Sequence, residues 1–316
     1  MIARTILRLG LRFLLSLLLA SAVIFLLLRA IPGDPARVAL GVTATDEAVA
    51  RLAEQLGTDR PLAVQYLDWV GGLLTGDFGV SLSSRQDITA LVLDRAQVSL
   101  ILCGVAMVLS LAVAVPMGMW AARHSERADG IVISGFSQVG IAVPSFLAGI
   151  LLVTVFAVHL GWVPANGWIP PGEDTGGFLA RLILPVIALT LVQAAILTRY
   201  VRSSILEVMD QDFIRTARST GASTSEALWR HGLRNAALPV LTVTGLQLTS
   251  LVVGAVVIER VFMLPGLGSM LLDSVARRDL TTVQTIVMLL VVFTLTVNLL
   301  VDLTYRIVDP RIRRSA

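Results

Sequence analysis

Six stretches of the chain contain no Asp, Glu, Lys or Arg, and polar segments separate them. They hold 16, 27, 43, 17, 24 and 22 residues, at positions 13–28, 96–122, 130–172, 182–198, 235–258 and 280–301. A helix needs about 17 to 25 apolar residues to cross the hydrocarbon core of a bilayer. The first stretch reaches that length if Leu9–Leu11 are included and the side chains of Arg12 and Arg29 extend towards the headgroups. The pattern therefore predicts an all-α polytopic membrane protein with six transmembrane helices.

The third stretch is long enough for two spans, but its second half favours a loop. That half contains seven residues that break helices: Gly161, Pro164, Asn166, Gly167, Pro170, Pro171 and Gly172. We expect one span here, followed by a loop. We also expect Pro144 to kink this span, which would free a carbonyl group towards protein or water.

All 25 basic residues are arginine, and their distribution sets the expected orientation. With both termini and the segments 122–130 and 199–234 inside, the cytoplasmic side carries 15 Arg against 8 acidic residues. The outside then carries 10 Arg against 14 acidic residues. Because cytoplasmic loops are enriched in basic residues, we expect the N and C termini to be cytoplasmic.

A long, mostly polar segment separates the first two spans and is expected on the outside. Pro32-Gly33-Asp34-Pro35 stops the first helix. Apolar residues then recur at helical spacing in Thr45–Leu56 and Pro61–Leu74, which predicts two short amphipathic helices. We therefore divide the chain into a cytoplasmic N terminus with the first span (1–31), an extracytoplasmic insertion (32–95) and a core of five spans (96–316).

Residue types that are absent or rare exclude several kinds of chemistry. Without lysine, the chain has neither a P-loop nor a Schiff-base amine. Cys103 is the only cysteine and the three histidines are far apart in sequence, so we expect no catalytic, cofactor-binding or metal-binding residues. No span carries Asp, Glu, Arg or His at its centre, which disfavours an ion-coupled symporter. An intramembrane hydrolase using Ser137 and His159 is disfavoured because their separation along a straight helix is about 33 Å.

Neutral polar residues occur at mid-depth of successive predicted spans. Glutamines recur there, and polar or helix-breaking residues accompany them. The candidate residues for a translocation path are Gln138, Pro144, Ser145, Gln193, Gln247 and Ser250. The alternative is that these groups only hydrogen-bond to neighbouring helices. Ser110, Ala114 and Gly118 recur every four residues in the second span, which predicts close packing against another helix.

The longest predicted cytoplasmic segment, 199–234, is expected to contain two helices. Apolar residues at helical spacing from Ile205 to Ala217 predict one helix that Gly221 ends. Ser223 and Glu226 have the spacing of a capping box, which predicts the start of a second helix. We expect the arginines of this segment to face water, headgroups or an acidic partner.

Several motifs resemble those of bacterial ATP-binding-cassette importer permeases of the dipeptide/oligopeptide class. The principal one is Gln211-Asp212-Phe213-Ile214-Arg215-Thr216-Ala217-Arg218-Ser219-Thr220-Gly221, followed by Trp229-Arg230-His231-Gly232-Leu233-Arg234-Asn235-Ala236-Ala237-Leu238-Pro239. Others are Pro32-Gly33-Asp34-Pro35, Ile141-Ala142-Val143-Pro144-Ser145-Phe146, Glu259-Arg260-Val261-Phe262, Pro265-Gly266-Leu267-Gly268 and Asp309-Pro310-Arg311-Ile312-Arg313. The resemblance covers essentially the whole chain. It departs from the broader importer pattern Glu-Ala-Ala-x-x-x-Gly, because Arg215-Thr216-Ala217 precedes Gly221 here.

The resemblance implies a type I importer fold in the bacterial cytoplasmic membrane, with segment 199–234 as a coupling loop that contacts a separate ATPase subunit. The residues implied in that contact are Asp212, Phe213, Arg215, Thr216, Ala217, Gly221, Ala222 and Glu226. It also implies a second permease that forms a heterodimer with this chain, two ATPase subunits that hold ATP and Mg, and an extracytoplasmic substrate-binding protein.

The expected substrate is a di- or oligopeptide, with membrane lipids around the spans and no nucleic acid partner. Nickel chelates and glutathione remain alternatives, because the resemblance extends to permeases for these substrates. The symporter and the hydrolase remain remote alternatives from other functional classes.

Overall fold

The computed structural model describes residues 2–33, 35–41 and 44–308, which are mostly helical. The helices are α1 (Ile2–Arg29), α2 (Pro35–Leu40), α3 (Asp46–Leu56), α4 (Leu62–Thr75), α5 (Thr89–Arg123), α6 (Ala128–Ala142), α7 (Ser145–Leu152), α8 (Thr175–Met209), α9 (Asp212–Ser219), α10 (Thr224–Ala227), α11 (Leu233–Val261), α12 (Leu267–Ala276) and α13 (Leu280–Val308). Two π-helical stretches, Val153–His159 and Leu228–Gly232, follow α7 and α10. Asp34 and the motif Asp309-Pro310-Arg311-Ile312-Arg313 lie outside the described residues.

Within the described residues, five helices are long and apolar enough to cross a membrane, namely α1, α5, α8, α11 and α13. The remaining predicted span is a pair of helices, Ala128–Ala142 and Ser145–His159, bent by 97° at a short break. Val143 is extended there, with φ −86° and ψ 119°, because the ring of Pro144 disfavours helical geometry in the preceding residue. Pro144 therefore interrupts the third span more severely than the expected kink, and the loop predicted after this span is present.

The chain forms two compact units, of which the larger comprises Val98–Pro265 and Leu300–Ala316. Its apolar core includes Leu102 of α5, Leu189 and Leu197 of α8, and Ile258 of α11. The small residues of α5 lie against α8 as predicted. Ser110 and Ala114 are fully buried, and a Cβ atom at Gly118 would lie only 2.6 Å from the Cβ atom of Val201.

The smaller unit comprises Met1–Gln97 and Gly266–Leu299. It contains both predicted amphipathic helices. The hydroxyl of Thr45 accepts a hydrogen bond from the backbone N–H of Ala48 and caps α3. Val49 and Leu52 bury the apolar face of α3, and Gly57 ends the helix with φ +65°. Helix α4 contacts α1, because Ser21 and Tyr66 share a hydrogen bond of 2.7 Å.

A buried carboxylate fixes the turn between α4 and α5 in the same unit. Asp279 precedes α13 and is 4% exposed. It accepts hydrogen bonds from the hydroxyls of Ser81, Ser83 and Thr282 and from the backbone N–H groups of Leu82 and Thr282. Five donors thus satisfy this carboxylate.

Candidate functional site

The segment predicted to couple to a partner contains a separate short helix. The periodicity from Ile205 to Ala217 predicted one helix, but the structure breaks it at Asp210 and Gln211. Gln211 is extended, with φ −75° and ψ 146°. The prediction was wrong here because it treated the apolar residues on both sides of the break as one stripe, whereas Ile214 would lie about 180° from Ile205 on one continuous helix. Helix α8 therefore ends at Met209, and α9 begins at Asp212.

Gly221 ends α9 in the manner predicted from the sequence. Its backbone N–H donates to the carbonyl oxygen of Arg218, and that of Ala222 donates to the carbonyl oxygen of Ala217, both at 3.1 Å. This pair of bonds is a Schellman motif. Gly221 has φ +100°, a conformation that residues with a Cβ atom rarely adopt.

The second helix of the segment begins at Thr224, and its predicted cap is half formed. The Ser223 hydroxyl accepts a hydrogen bond from the backbone N–H of Glu226 at 3.2 Å. The Glu226 carboxylate pairs with Arg230 one turn later, at 3.1 Å. The helix passes through a π-helical stretch into α11 without a break. The predicted coupling segment, residues 199–234, is thus continuous with the fifth span.

One apolar cluster connects α9 to the adjoining ends of three spans. Ile214 of α9 is 1% exposed. It belongs to a cluster with residues of α5, α8, α10, the following π-helical stretch and α11: Met119, Ala122, Val201, Ile205, Val208, Ala227, Leu228 and Ala236. Interiors are close-packed and transmit displacement between neighbours. Ile214 therefore packs α9 against the ends of these three spans.

The opposite side of α9 is open. Most of the predicted coupling residues are exposed, namely Asp212, Phe213, Arg215, Thr216, Gly221 and Glu226. Ala217 and Ala222 are half-buried and pack against the same apolar cluster as Ile214. Phe213 is the large aromatic side chain among the predicted coupling residues, and it is 40% exposed. A concave surface lies beside α9 and encloses an open pocket of about 390 Å³. Four of the predicted coupling residues line it: Ala217, Gly221, Ala222 and Glu226.

The candidate path residues fall into two groups. Gln193 is 5% exposed, and its Nε2 donates to the backbone oxygen of Gln247 at 3.1 Å, which joins α8 to α11. Gln138, Pro144 and Ser250 are exposed, and Ser145 is half-buried. The structure therefore brings Gln193 and Gln247 together within the unit, whereas the exposed candidates lie on its surface.

Two buried residues have roles that sequence reasoning did not assign. Ile214 anchors α9, although its helical spacing already marked it as apolar-face. Glu259 is 1% exposed and accepts a hydrogen bond from the Ser99 hydroxyl at 2.6 Å, which links the end of α11 to α5. Its only sequence signal was its place in the Glu259–Phe262 motif.

Comparison with known proteins gives consistent matches over the whole chain. Residues 114–314 match the family described as binding-protein-dependent transport system inner membrane component. Residues 1–103 match the N-terminal family of the same membrane components. The probable peptide ABC transporter permease protein y4tP of Sinorhizobium fredii is 38% identical, over 92% of this chain and 93% of the relative. The glutathione transport system permease protein GsiC of Salmonella choleraesuis is 36% identical, over 94% and 95%.

A solved structure supports the fold independently. The MetNI methionine ABC transporter, in inward-facing conformations, aligns with a TM-score of 0.58 at 17% identity, over 70% of this chain and 98% of that one. At this identity the likeness concerns the fold alone, which confirms the predicted importer-permease architecture.

Proposed function

This chain belongs to the family of binding-protein-dependent transport system inner membrane components, and from that premise we propose that it forms half of a pore for di- or oligopeptides. It is a multi-pass membrane permease subunit of an ATP-binding-cassette importer. The name of the y4tP relative supports a peptide substrate. The glutathione permease keeps a small modified peptide as the second candidate.

The chain is oriented with both termini in the cytoplasm in this proposal. The excess of arginine in the segments assigned to the inside supports that orientation. Segment 199–234 then faces the cytoplasm, where ATP is available. The insertion 32–95 faces the compartment of a substrate-binding protein.

Helix α9 is the proposed contact with an ATPase subunit. The observation that carries this proposal is its two-sided character: Ile214 is anchored in the cluster of span ends, whereas Phe213 on the other side is exposed. A partner that seats Phe213 and the concave surface beside Ala217 would move α9 as a handle. The cluster would carry that movement into α5, α8 and α11.

The remaining parts of the importer are proposed as separate chains. Two ATPase subunits hold ATP and Mg, a second permease of different sequence completes the pore, and a binding protein delivers substrate. The exposed residues Gln138, Pro144 and Ser250 are available to line a pore completed by that second permease. Gln193 and Gln247 would act by holding α8 and α11 in register. Differential binding of the outward-open and inward-open states sets the direction of transport.

Transport by the assembled importer tests the role of α9. Ala217→Asp places a charge in the concave surface, and Gly221→Val strains a positive-φ position by about 1 to 2 kcal/mol. Both variants should accumulate normally in the membrane, yet peptide uptake should fall by about tenfold or more relative to ATP hydrolysis. Ser203→Ala, an exposed change on α8, is the matched control and should transport normally.

Wild-type uptake by both Ala217→Asp and Gly221→Val, at equal abundance in the membrane, would place the ATPase contact elsewhere. Uptake that persists after ATP is depleted while a proton gradient is maintained would contradict the importer mechanism itself. Efficient uptake of glutathione without uptake of longer peptides would replace the first substrate class by the second.

A further inference from the structure

A cavity of about 370 Å³ lies in the smaller unit, outside the site described above. Its wall is formed by the carboxyl end of α1, the turn before α4, one side of α4, residues 77–82 and the first turns of α13. Pockets that bind small molecules or headgroups begin at about this size. The polar and charged groups of its wall therefore indicate which ligand it would bind.

Unpaired polar atoms are concentrated in this wall. Five buried side-chain nitrogen or oxygen atoms have no hydrogen-bond partner among the described residues. Three of the five belong to cavity-lining residues: Nε of Arg29, Nε1 of Trp69 and Oε1 of Gln65. Buried polar groups are normally hydrogen-bonded, so three unpaired atoms on residues that line one cavity indicate a missing partner.

The environment of Gln65 fixes the role of its amide. Gln65 is 8% exposed, and its Nε2 donates to the backbone oxygens of Thr58 and Arg60, at 3.0 and 2.7 Å. Both donor hydrogens are thus used inside the protein, and Oε1 remains as an acceptor. Arg29 and Trp69 can only donate. The wall therefore offers two donors, one of them cationic, and one neutral acceptor.

The formal charge of the wall is balanced. Arg29 and Arg60 are its cations, and Asp68 and Asp77 are its anions. Arg60 pairs with Asp68 at 3.1 Å, whereas Arg29 pairs with no carboxylate among the described residues and lies over the Phe25 ring. A ligand matched to this wall carries one anionic group for Arg29 and one cationic group for Asp77, with no net charge.

The surroundings of the cavity match the boundary between hydrocarbon and headgroups. Arg29 is the last residue of the apolar helix α1. Phe25, Tyr66 and Trp69 form an aromatic cluster beside it, with ring centroids 5.5 to 6.3 Å apart, and Tyr and Trp are enriched at this depth. Leucine side chains flanking the cluster are exposed on both helices: Leu26 and Leu27 on α1, and Leu67 and Leu74 on α4.

We propose that this cavity binds the headgroup of a zwitterionic phospholipid that carries a primary ammonium group. The phosphodiester accepts hydrogen bonds from Arg29 and the Trp69 indole, and the ammonium donates to Oε1 of Gln65 and to Asp77. The acyl chains lie along the exposed leucines of α1 and α4. The inference concerns the lipid contact of this unit and does not depend on which substrate is transported.

Lipid retention by the full chain, purified together with its native partners, tests the assignment. Native mass spectrometry after exchange into nanodiscs of phosphatidylethanolamine, phosphatidylcholine or phosphatidylglycerol counts the bound lipids. We expect phosphatidylethanolamine to be retained preferentially. Arg29→Gln and Trp69→Phe should each weaken its binding by about tenfold or more, because each removes a donor to a phosphate.

Matched controls separate binding from folding. Trp69→Phe keeps a ring in the aromatic cluster. Arg51→Gln and Trp162→Phe are the controls, because they make the same exchanges at positions that do not line the cavity. The two controls should bind lipid as the wild type does, and both the test variants and the controls should have the wild-type thermal midpoint in detergent.

Three results would overturn the proposal. One is that the wild-type complex retains no more phosphatidylethanolamine than the Arg29→Gln variant, which would indicate a cavity filled by water. Another is equal retention of phosphatidylglycerol, which would mean that the ammonium is not recognised. The third is competition by soluble glycerophosphoethanolamine with the same affinity as the diacyl lipid, which would identify a soluble ligand as the source of the phosphate.

Discussion

Two connecting segments of this permease subunit are held in opposite ways. The turn between α4 and α5 is fixed by hydrogen bonds from Ser81, Leu82 and Ser83 to the buried carboxylate of Asp279. Helix α9 is held by the apolar side chain of Ile214. The side-chain hydrogen bonds described for α9 stay within α9 and its own end.

The two kinds of attachment permit different movements of the attached segment. Hydrogen bonds to a carboxylate are directional and lose most of their energy when the geometry changes. Apolar contact is non-directional and depends mainly on the area removed from water. The turn at Asp279 is therefore suited to one fixed geometry, whereas α9 can move together with its cluster without breaking a directional bond.

The largest expected effect comes from removing the carboxylate. Asp279→Ala would leave several buried donors unpaired and should cost about 4 kcal/mol of local stability. Trypsin should then cut after Arg85, in the turn, roughly 1,000-fold faster. Asp279→Asn keeps one acceptor oxygen and should have a smaller effect. Equal cleavage rates in the wild type and Asp279→Ala would show that the carboxylate does not hold the turn.

A smaller effect is expected from the apolar anchor. Ile214→Ala should cost about 3 kcal/mol, because it removes buried methylene and methyl groups and leaves a cavity. Trypsin cleavage at Arg218 should accelerate accordingly. Phe213→Ala, on the exposed side of the same helix, should leave this rate nearly unchanged. If both variants behave alike, α9 is not held by one face.

The smallest effect is expected from the exposed ion pair of the coupling segment. The Arg230 and Glu226 side chains are 73% and 44% exposed. Arg230→Ala should change the thermal midpoint by no more than corresponds to about 0.5 kcal/mol. The shift should be measured in low and high salt. A loss comparable to that of Ile214→Ala would mean that polar contacts also hold this segment.

Local features of the fold could be predicted from the sequence because neighbouring residues determine them. Gly221 and Ser223 revealed a helix end and a helix start, since caps depend on a few consecutive residues. The span lengths followed from charge-free stretches. The break at Gln211 was missed, although the apolar phase changes across it: at about 100° per residue, Ile214 would lie on the opposite side of one continuous helix from Ile205.

Features that depend on distant residues could not be predicted in this way. Ser81 and Asp279 are 198 positions apart, and no local pattern links them. The cavity beside Trp69 likewise combines residues from α1, α4 and α13. The coupling residues were grouped by resemblance alone, whereas the two-sided character of α9 became visible only in the fold.

The unbroken helix that leaves the coupling segment has a mechanical consequence. From Thr224 to Val261 the backbone remains helical through α10, the π-helical stretch and α11, with Pro239 inside α11. The path along the helix measures about 57 Å at 1.5 Å per residue. A tilt of about 10° around its midpoint would displace the two ends by about 5 Å in opposite directions. The helix thus acts as a lever, and the displacement of its ends increases with its uninterrupted length. A flexible joint inserted near its midpoint would reduce that displacement.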